Sequence, residues 1–140
     1  MNREKCMLFL VEDNMDDEAL TKRAVTASGV PCKVEVVRDG GNALAQLISP
    51  TGPIPDLIVL DFHLPKYNGL EILRALRNQE STRQIPIVIL SELESEENIA
   101  NCLTEGANSC VRKPSDPSLY VEHVALIVKY WLTVNRRPEL

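Results

Sequence analysis

The 140-residue sequence has no basic surplus, no long apolar run and no paired-cysteine motif, and each absence removes a class of protein. Lys and Arg number 15 against 20 Asp and Glu, for a net charge of -5 and a pI near 5.1. Nucleic-acid modules carry a basic excess or a basic stripe, and the short Arg136-Arg137 pair supplies neither, so no nucleic-acid partner is expected. The apolar run Met7 to Val11 is cut off by Glu12 and Asp13. It is too short for a signal-peptide core or a membrane span, which points to a cytoplasmic protein with no membrane partner. Cys6, Cys32, Cys102 and Cys110 show no Cys-x-x-Cys spacing and no His at ligand spacing, so they read as reduced packing residues.

What is present is a regular alternation of strand and helix patterns, uninterrupted by repeats or low-complexity segments, which implies an α/β domain. Strands are expected at Met7 to Val11, Val34 to Val37, Leu57 to Leu60, Ile87 to Leu90 and Ser109 to Arg112. Helices are expected at Met15 to Ser28, Gly41 to Ile48, Leu70 to Asn78, Ser95 to Glu105 and onward from Pro117. Asp13 or Asn14 offers an N-cap for the first helix, Gly29 and Gly106 supply stops, and Asp116 caps the last helix with Pro117 at its first position. Units of this length fit a flavodoxin-like, doubly wound, five-stranded parallel sheet in the order 2-1-3-4-5 with five helices. One folded domain is expected over residues 1–133, followed by a tail over 134–140.

Chemistry-bearing residues follow the expected strands at their carboxyl ends: Glu12 and Asp13 after the first, Asp61 after the third, Ser91 after the fourth, and Lys113 after the fifth. That edge is where open parallel sheets bind ligands. Clustered carboxylates raise one another's pKa and need a cation to stay ionised together. Hard oxygen donors favour Mg²⁺, with Asp13 and Asp61 as direct ligands, Glu12 acting through water, and the backbone carbonyl of His63 within reach. Asp61 is then placed to attack phosphorus as a carboxylate nucleophile, with the Lys113 ammonium and the Ser91 hydroxyl available to the phosphoryl oxygens.

The pair Glu12-Asp13, the run Asp61-x-x-x-Pro65-x-x-x-Gly69, Ser91 and the pair Lys113-Pro114 together resemble the signature of the response-regulator receiver domains of two-component signalling. The resemblance spans nearly the whole chain. It implies that 1–133 is a receiver domain, that Asp61 accepts phosphate from a phosphohistidine on a partner histidine kinase, and that Mg²⁺ is required. It also implies that Ser91 and Lys113 sense the phosphoryl group, and that the protein is a phosphoacceptor and not an enzyme in the usual sense. The sequence departs from the family pattern at Cys110, where an aromatic usually stands, and at Glu92, where a small residue does; His63 is a bulky polar neighbour of Asp61. A phosphorylation-independent interaction module on the same fold is the competing reading.

In the last helix, Tyr120, Val121, Val124, Ala125, Ile127, Val128, Trp131 and Leu132 share the face expected to cover the sheet. Leu119, Leu126 and Tyr130 form a second apolar stripe on the opposite side. Such a stripe suggests self-association or partner docking unless residues 133–140 fold back over it. The ending Tyr130 to Val134 also resembles stand-alone receivers that partner phytochrome-type histidine kinases, which implies a homodimer through the final helix and neighbouring strand.

Overall fold

A computed structural model describes residues 6–92 and 95–137. Strands β1 (Cys6–Val11), β2 (Cys32–Val37), β3 (Leu57–Asp61), β4 (Ile87–Ser91) and β5 (Ser109–Arg112) form one sheet in the order β2-β1-β3-β4-β5. Every neighbouring pair is parallel. Helices α1 (Met15–Ser28), α2 (Gly40–Ile48), α3 (Gly69–Arg77), α4 (Glu96–Thr104) and α5 (Pro117–Lys129) connect and cover the strands. The flavodoxin-like order expected from the sequence is therefore the observed one. Its strand boundaries differ in one useful respect: Asp61 and Ser91 are the last residues of their strands, so ladder pairing fixes their backbones.

Alternation along β1 divides the core, because successive side chains point to opposite faces. Phe9 and Val11 join Ile58 and Leu60 beneath Ile72, Leu73 and Leu76 of α3. Leu8 and Leu10 join Leu57, Val59, Val88 and Leu90 beneath Ala24 and Val25 of α1 and Tyr120, Val124 and Val128 of α5. Burial on both sides explains why β3 and β4 read as continuous apolar runs. Each large aliphatic side chain withdrawn from water here contributes roughly 1.5–3 kcal/mol.

Local signals start and stop the helices. Asn14 is the N-cap of α1, its side chain accepting from the Asp17 N–H at 2.9 Å. Asn68 and Glu71 form a reciprocal capping box on α3, which starts this helix at Gly69. Gly29 ends α1 at φ 76°, a left-handed conformation that glycine adopts without steric cost. The last helix continues beyond Lys129 as a π-helical turn, Tyr130–Val134, closed by the Asn135 N–H on the Tyr130 carbonyl.

Arg137 then forms a 2.7 Å ion pair with Asp56, whose other carboxylate oxygen accepts the Met7 N–H at 2.8 Å. The tail through Arg137 is thus tied to the start of β3, and it does not cover the outer stripe of α5. Leu119, Leu126 and Tyr130 remain 39%, 61% and 47% exposed.

A latch that was not visible in the sequence supports the far side. Arg77 donates to the carbonyls of Gly106, Thr82, Arg83 and Ile85 and to Asn108 Oδ1, all at 2.9–3.2 Å. Asn108 Oδ1 also accepts the Ile87 N–H, so one guanidinium gathers the entries to β4 and β5.

Candidate functional site: an acidic cleft at the sheet's carboxyl edge

Register brings the strand ends together. Val11 lies opposite Leu60, Asp61 opposite Leu90, and Ser91 opposite Arg112, so the residues after β1 emerge beside those ending β3. Glu12, Asp13 and Asp61 each present a carboxylate oxygen, and these oxygens lie within 4.8 Å of one another. Asp13 and Asp61 face a cleft of about 330 Å³ lined also by Asn14, Asp17, His63, Glu92 and Lys113. Asp13 is exposed, whereas Glu12 and Asp61 are buried.

Lys113 crosses this cluster. Its backbone N–H donates to the Ser91 carbonyl at 2.7 Å, holding the β5 exit against β4. Its Nζ reaches Asp17 at 2.9 Å, Glu12 at 3.0 Å and Asp61 at 3.4 Å, with 4% of the side chain exposed. Burial alone pulls this ammonium's pKa down, but the hydrogen bond to Asp17 and the charges of Asp61 and Glu12 outweigh it, leaving it above the ordinary lysine range. Burial also drives the Glu12 carboxyl up to about 7, aided by the nearby charge of Asp61 and opposed by Lys113. Asp61 is raised by burial as well, against the pull of Lys113 and of hydrogen bonds from Glu12 and the His63 N–H. Burial is therefore the largest cause of both carboxyl shifts, and repulsion adds only to that of Glu12, a ranking that spacing along the chain does not disclose.

The loop after Asp61 is tightly folded. The Tyr67 N–H donates to the Pro65 carbonyl at 2.9 Å, and Lys66 between them sits at φ 74°, a strained value for a residue with a side chain. Gly69 donates to the Phe62 carbonyl at 2.8 Å. A Cβ at this position would lie 3.0 Å from Phe62 Cα and 3.3 Å from the Asp61 carbonyl oxygen. The close return of the chain onto the end of β3 gives a steric reason for glycine here. His63 lines the cleft and donates its N–H to Asp61 Oδ1 at 3.3 Å.

Ser91 and Cys110 border a neighbouring space. Together with Phe62, Ile89, Ile99 and Cys102 they line a cavity of about 300 Å³ between α4 and the sheet. Burial raises the Cys110 thiol's pKa, and a hydrogen bond with Cys102 partly offsets it. Glu92 is exposed at the cleft mouth, its backbone carbonyl accepting from Arg112 Nε at 3.2 Å. Asp17 is the member of the site that the sequence reading missed. Its available signal was its place as the third residue of a helix capped by Asn14, directly after the acidic pair.

A doubly wound sheet whose switch-point edge carries clustered carboxylates and a buried lysine defines a phosphoacceptor module. The sequence profile described as the response regulator receiver domain matches residues 8–125, and the chain belongs to this family, whose members accept phosphate and are not conventional enzymes. It is 33% identical over 135 residues to the probable methanogenesis regulatory protein FilR2 of Methanothrix harundinacea, covering 94% of this chain and 87% of that protein. It is 28% identical to response regulator Rcp1 of Synechocystis, covering 94% of this chain and 92% of Rcp1. The structure of the phosphorylated cyanobacterial phytochrome response regulator RcpA superposes with a TM-score of 0.90 at 34% identity, over 96% of this chain and 99% of RcpA. The Mn²⁺-bound form of Rcp1 gives a TM-score of 0.88 at 27% identity, over 96% and 99% of the two chains.

Proposed function

We propose that this chain is a stand-alone response regulator that takes a phosphoryl group onto Asp61 from a phosphohistidine of a partner histidine kinase. The observation that carries this reading is the placement of the Asp61 carboxylate at a cleft shared with two further carboxylates and a buried ammonium 3.4 Å away. In the transfer, an Asp61 oxygen forms a bond to phosphorus as the bond from phosphorus to the imidazole nitrogen breaks, and the electron pair leaves with the imidazole. Lys113 holds positive charge at the position where phosphoryl oxygens gather, and Ser91 sits at the adjoining strand end to donate a hydrogen bond.

The donor set is all oxygen and lies within 4.8 Å, which suits a small hard cation. Asp13 and Asp61 would hold Mg²⁺ directly, with Glu12 through water and the His63 carbonyl as a further ligand. Bound there, Mg²⁺ supplies charge neutralisation for the carboxylates and the incoming phosphoryl oxygens.

The likeness to RcpA and Rcp1 supports a phytochrome-type histidine kinase as partner. Among the described residues no helix is long and apolar enough to cross a membrane. The likeness to RcpA over 99% of that chain supports output through the domain's own surface. The exposed stripe Leu119, Leu126 and Tyr130 supports a homodimer through α5.

Incubation with Mg²⁺ and acetyl phosphate, read by intact mass, should add one phosphate to the native chain and none to Asp61→Asn. An unmodified native chain beside a working control receiver refutes the reading. One observation favours a phosphate-independent interaction module: Cys110 stands beside a cavity of about 300 Å³ where the family usually places an aromatic switch. That reading requires Asp61→Asn to bind the partner as well as the native chain does.

A further inference from the structure

We infer that Asp17 is the positioning residue for Lys113, fixing the ammonium above the nucleophile through a closed ring of hydrogen bonds that runs through the cap of α1. The ring has four members. The Asn14 N–H donates to Glu12 Oε2 at 3.3 Å, and the Asn14 side chain accepts the Asp17 N–H at 2.9 Å. Asp17 Oδ2 in turn accepts from Lys113 Nζ at 2.9 Å, and Lys113 Nζ closes the circuit on Glu12 Oε1 at 3.0 Å.

The same fold provides an internal comparison. In α3 the third helical residue, Glu71, turns its carboxylate back onto the N–H of its cap, Asn68, at 2.9 Å. Asp17 holds the equivalent place in α1, but there the cap's N–H goes to Glu12 and the Asp17 carboxylate reaches Lys113 instead. An acid at a position that commonly serves the helix itself is here turned to the site.

The consequence is directional. A lysine ammonium has only three N–H donors. With one held by Asp17 and one by Glu12, the remaining contact to Asp61 is the longest, at 3.4 Å. Asp17 thereby keeps Lys113 from collapsing onto the nucleophile while holding it within reach of a phosphoryl group arriving there. The anchor is stiff: one turn further along α1, Thr21 Oγ1 lies 3.3 Å from the buried Tyr120 hydroxyl of α5.

The inference rests on Asp61 being the phosphoacceptor, and its test separates the two. Labelling by acetyl phosphate with Mg²⁺ is followed by intact mass for the native chain, Asp17→Ala, Asp17→Asn and the control Asp16→Ala, which removes a neighbouring exposed acid of the same helical turn. Asp17→Ala should label about tenfold more slowly, the effect of losing one charge-assisted hydrogen bond. Asp17→Asn keeps an oxygen acceptor and should recover most of the rate, and Asp16→Ala should match the native chain. Nitrogen-15 spectra selective for lysine ammonium groups add a readout independent of phosphate: Lys113 should exchange its N–H protons faster in Asp17→Ala. Native-like labelling with a native-like Lys113 signal in Asp17→Ala overturns the inference and leaves the phosphoacceptor reading standing. Faster labelling also overturns it, because Asp17 would then be competing for the ammonium. A native chain that does not label overturns both.

Discussion

Replacing Lys113 with Met keeps a stem of similar length and removes only the ammonium, which isolates the electrostatic role of this side chain. The native ammonium is 2.9–3.4 Å from Asp17, Glu12 and Asp61, and Glu12 is 1% exposed. At an effective dielectric of about 20, each such contact near 3 Å is worth about 5 kcal/mol before desolvation. Removing one partner from a buried ionic cluster typically costs about 3–5 kcal/mol, because the remaining charges are stranded. The carboxyls have an escape that the ammonium lacked: they can bind protons. Glu12 already titrates near 7, above its ordinary 4.5, and without Lys113 both it and Asp61 rise further.

A carboxyl whose pKa is raised by folding contributes stability that is present below its unfolded pKa and lost as pH rises through the folded value. The full penalty should therefore appear in metal-free buffer near pH 8, as a fall in Tm of about 9–15 °C at about 3 °C per kcal/mol for a chain of this length. Near pH 5, where Glu12 is protonated, the fall should shrink to about a third of that. At the higher pH, Mg²⁺ should raise the Tm of the variant more than that of the native chain, since a cation replaces the one removed. Thermal unfolding at both pH values, with and without Mg²⁺, measures all of this. Equal losses at both pH values, with no added benefit from Mg²⁺, would show that the cost lies in packing of the stem and would refute the electrostatic account.

Other expectations follow from the same geometry. Because metal binding must displace the proton that burial places on Glu12, Mg²⁺ affinity should rise between about pH 6 and pH 8, with proton release measurable by calorimetry in buffers of different ionisation heat. Leu126→Glu, at the most exposed point of the α5 stripe, should lower the average mass seen by light scattering without slowing acetyl phosphate labelling; an unchanged mass counts against assembly through this face. Arg77→Met should cost about 3 kcal/mol in denaturant unfolding, since loop carbonyls at the entries to β4 and β5 lose a shared donor; a native midpoint would mean that water satisfies them equally well.

Much of the architecture was legible because local physics repeats along this chain. Leu57 to Leu60 and Ile87 to Leu90 are buried on both faces, so their apolar runs mark central parallel strands wherever they stand in the sequence. Residues that end such strands must share one edge, and for that reason Glu12, Asp13, Asp61, Ser91 and Lys113 could be grouped from the sequence alone. The apolar period of the last helix likewise separated Tyr120, Val124, Ile127 and Val128, which are buried, from Leu119, Leu126 and Tyr130, which are exposed.

Tertiary structure alone decided which of these groups touch. Asp17 and Lys113 are 96 positions apart, and no local pattern reveals that α1 carries one onto the other. The same holds for Arg77, whose partners lie on loops separated in the chain, and for Arg137, whose pairing with Asp56 ties residues 135–137 to the start of β3 and leaves the α5 stripe exposed. Periodicity reports which side of an element is apolar, a property of neighbouring residues. Hydrogen-bond partners, the Glu12 carboxyl near pH 7 and the cavity beside Cys110 depend on how whole elements pack, and only packing sets the distances and the loss of water that produce them.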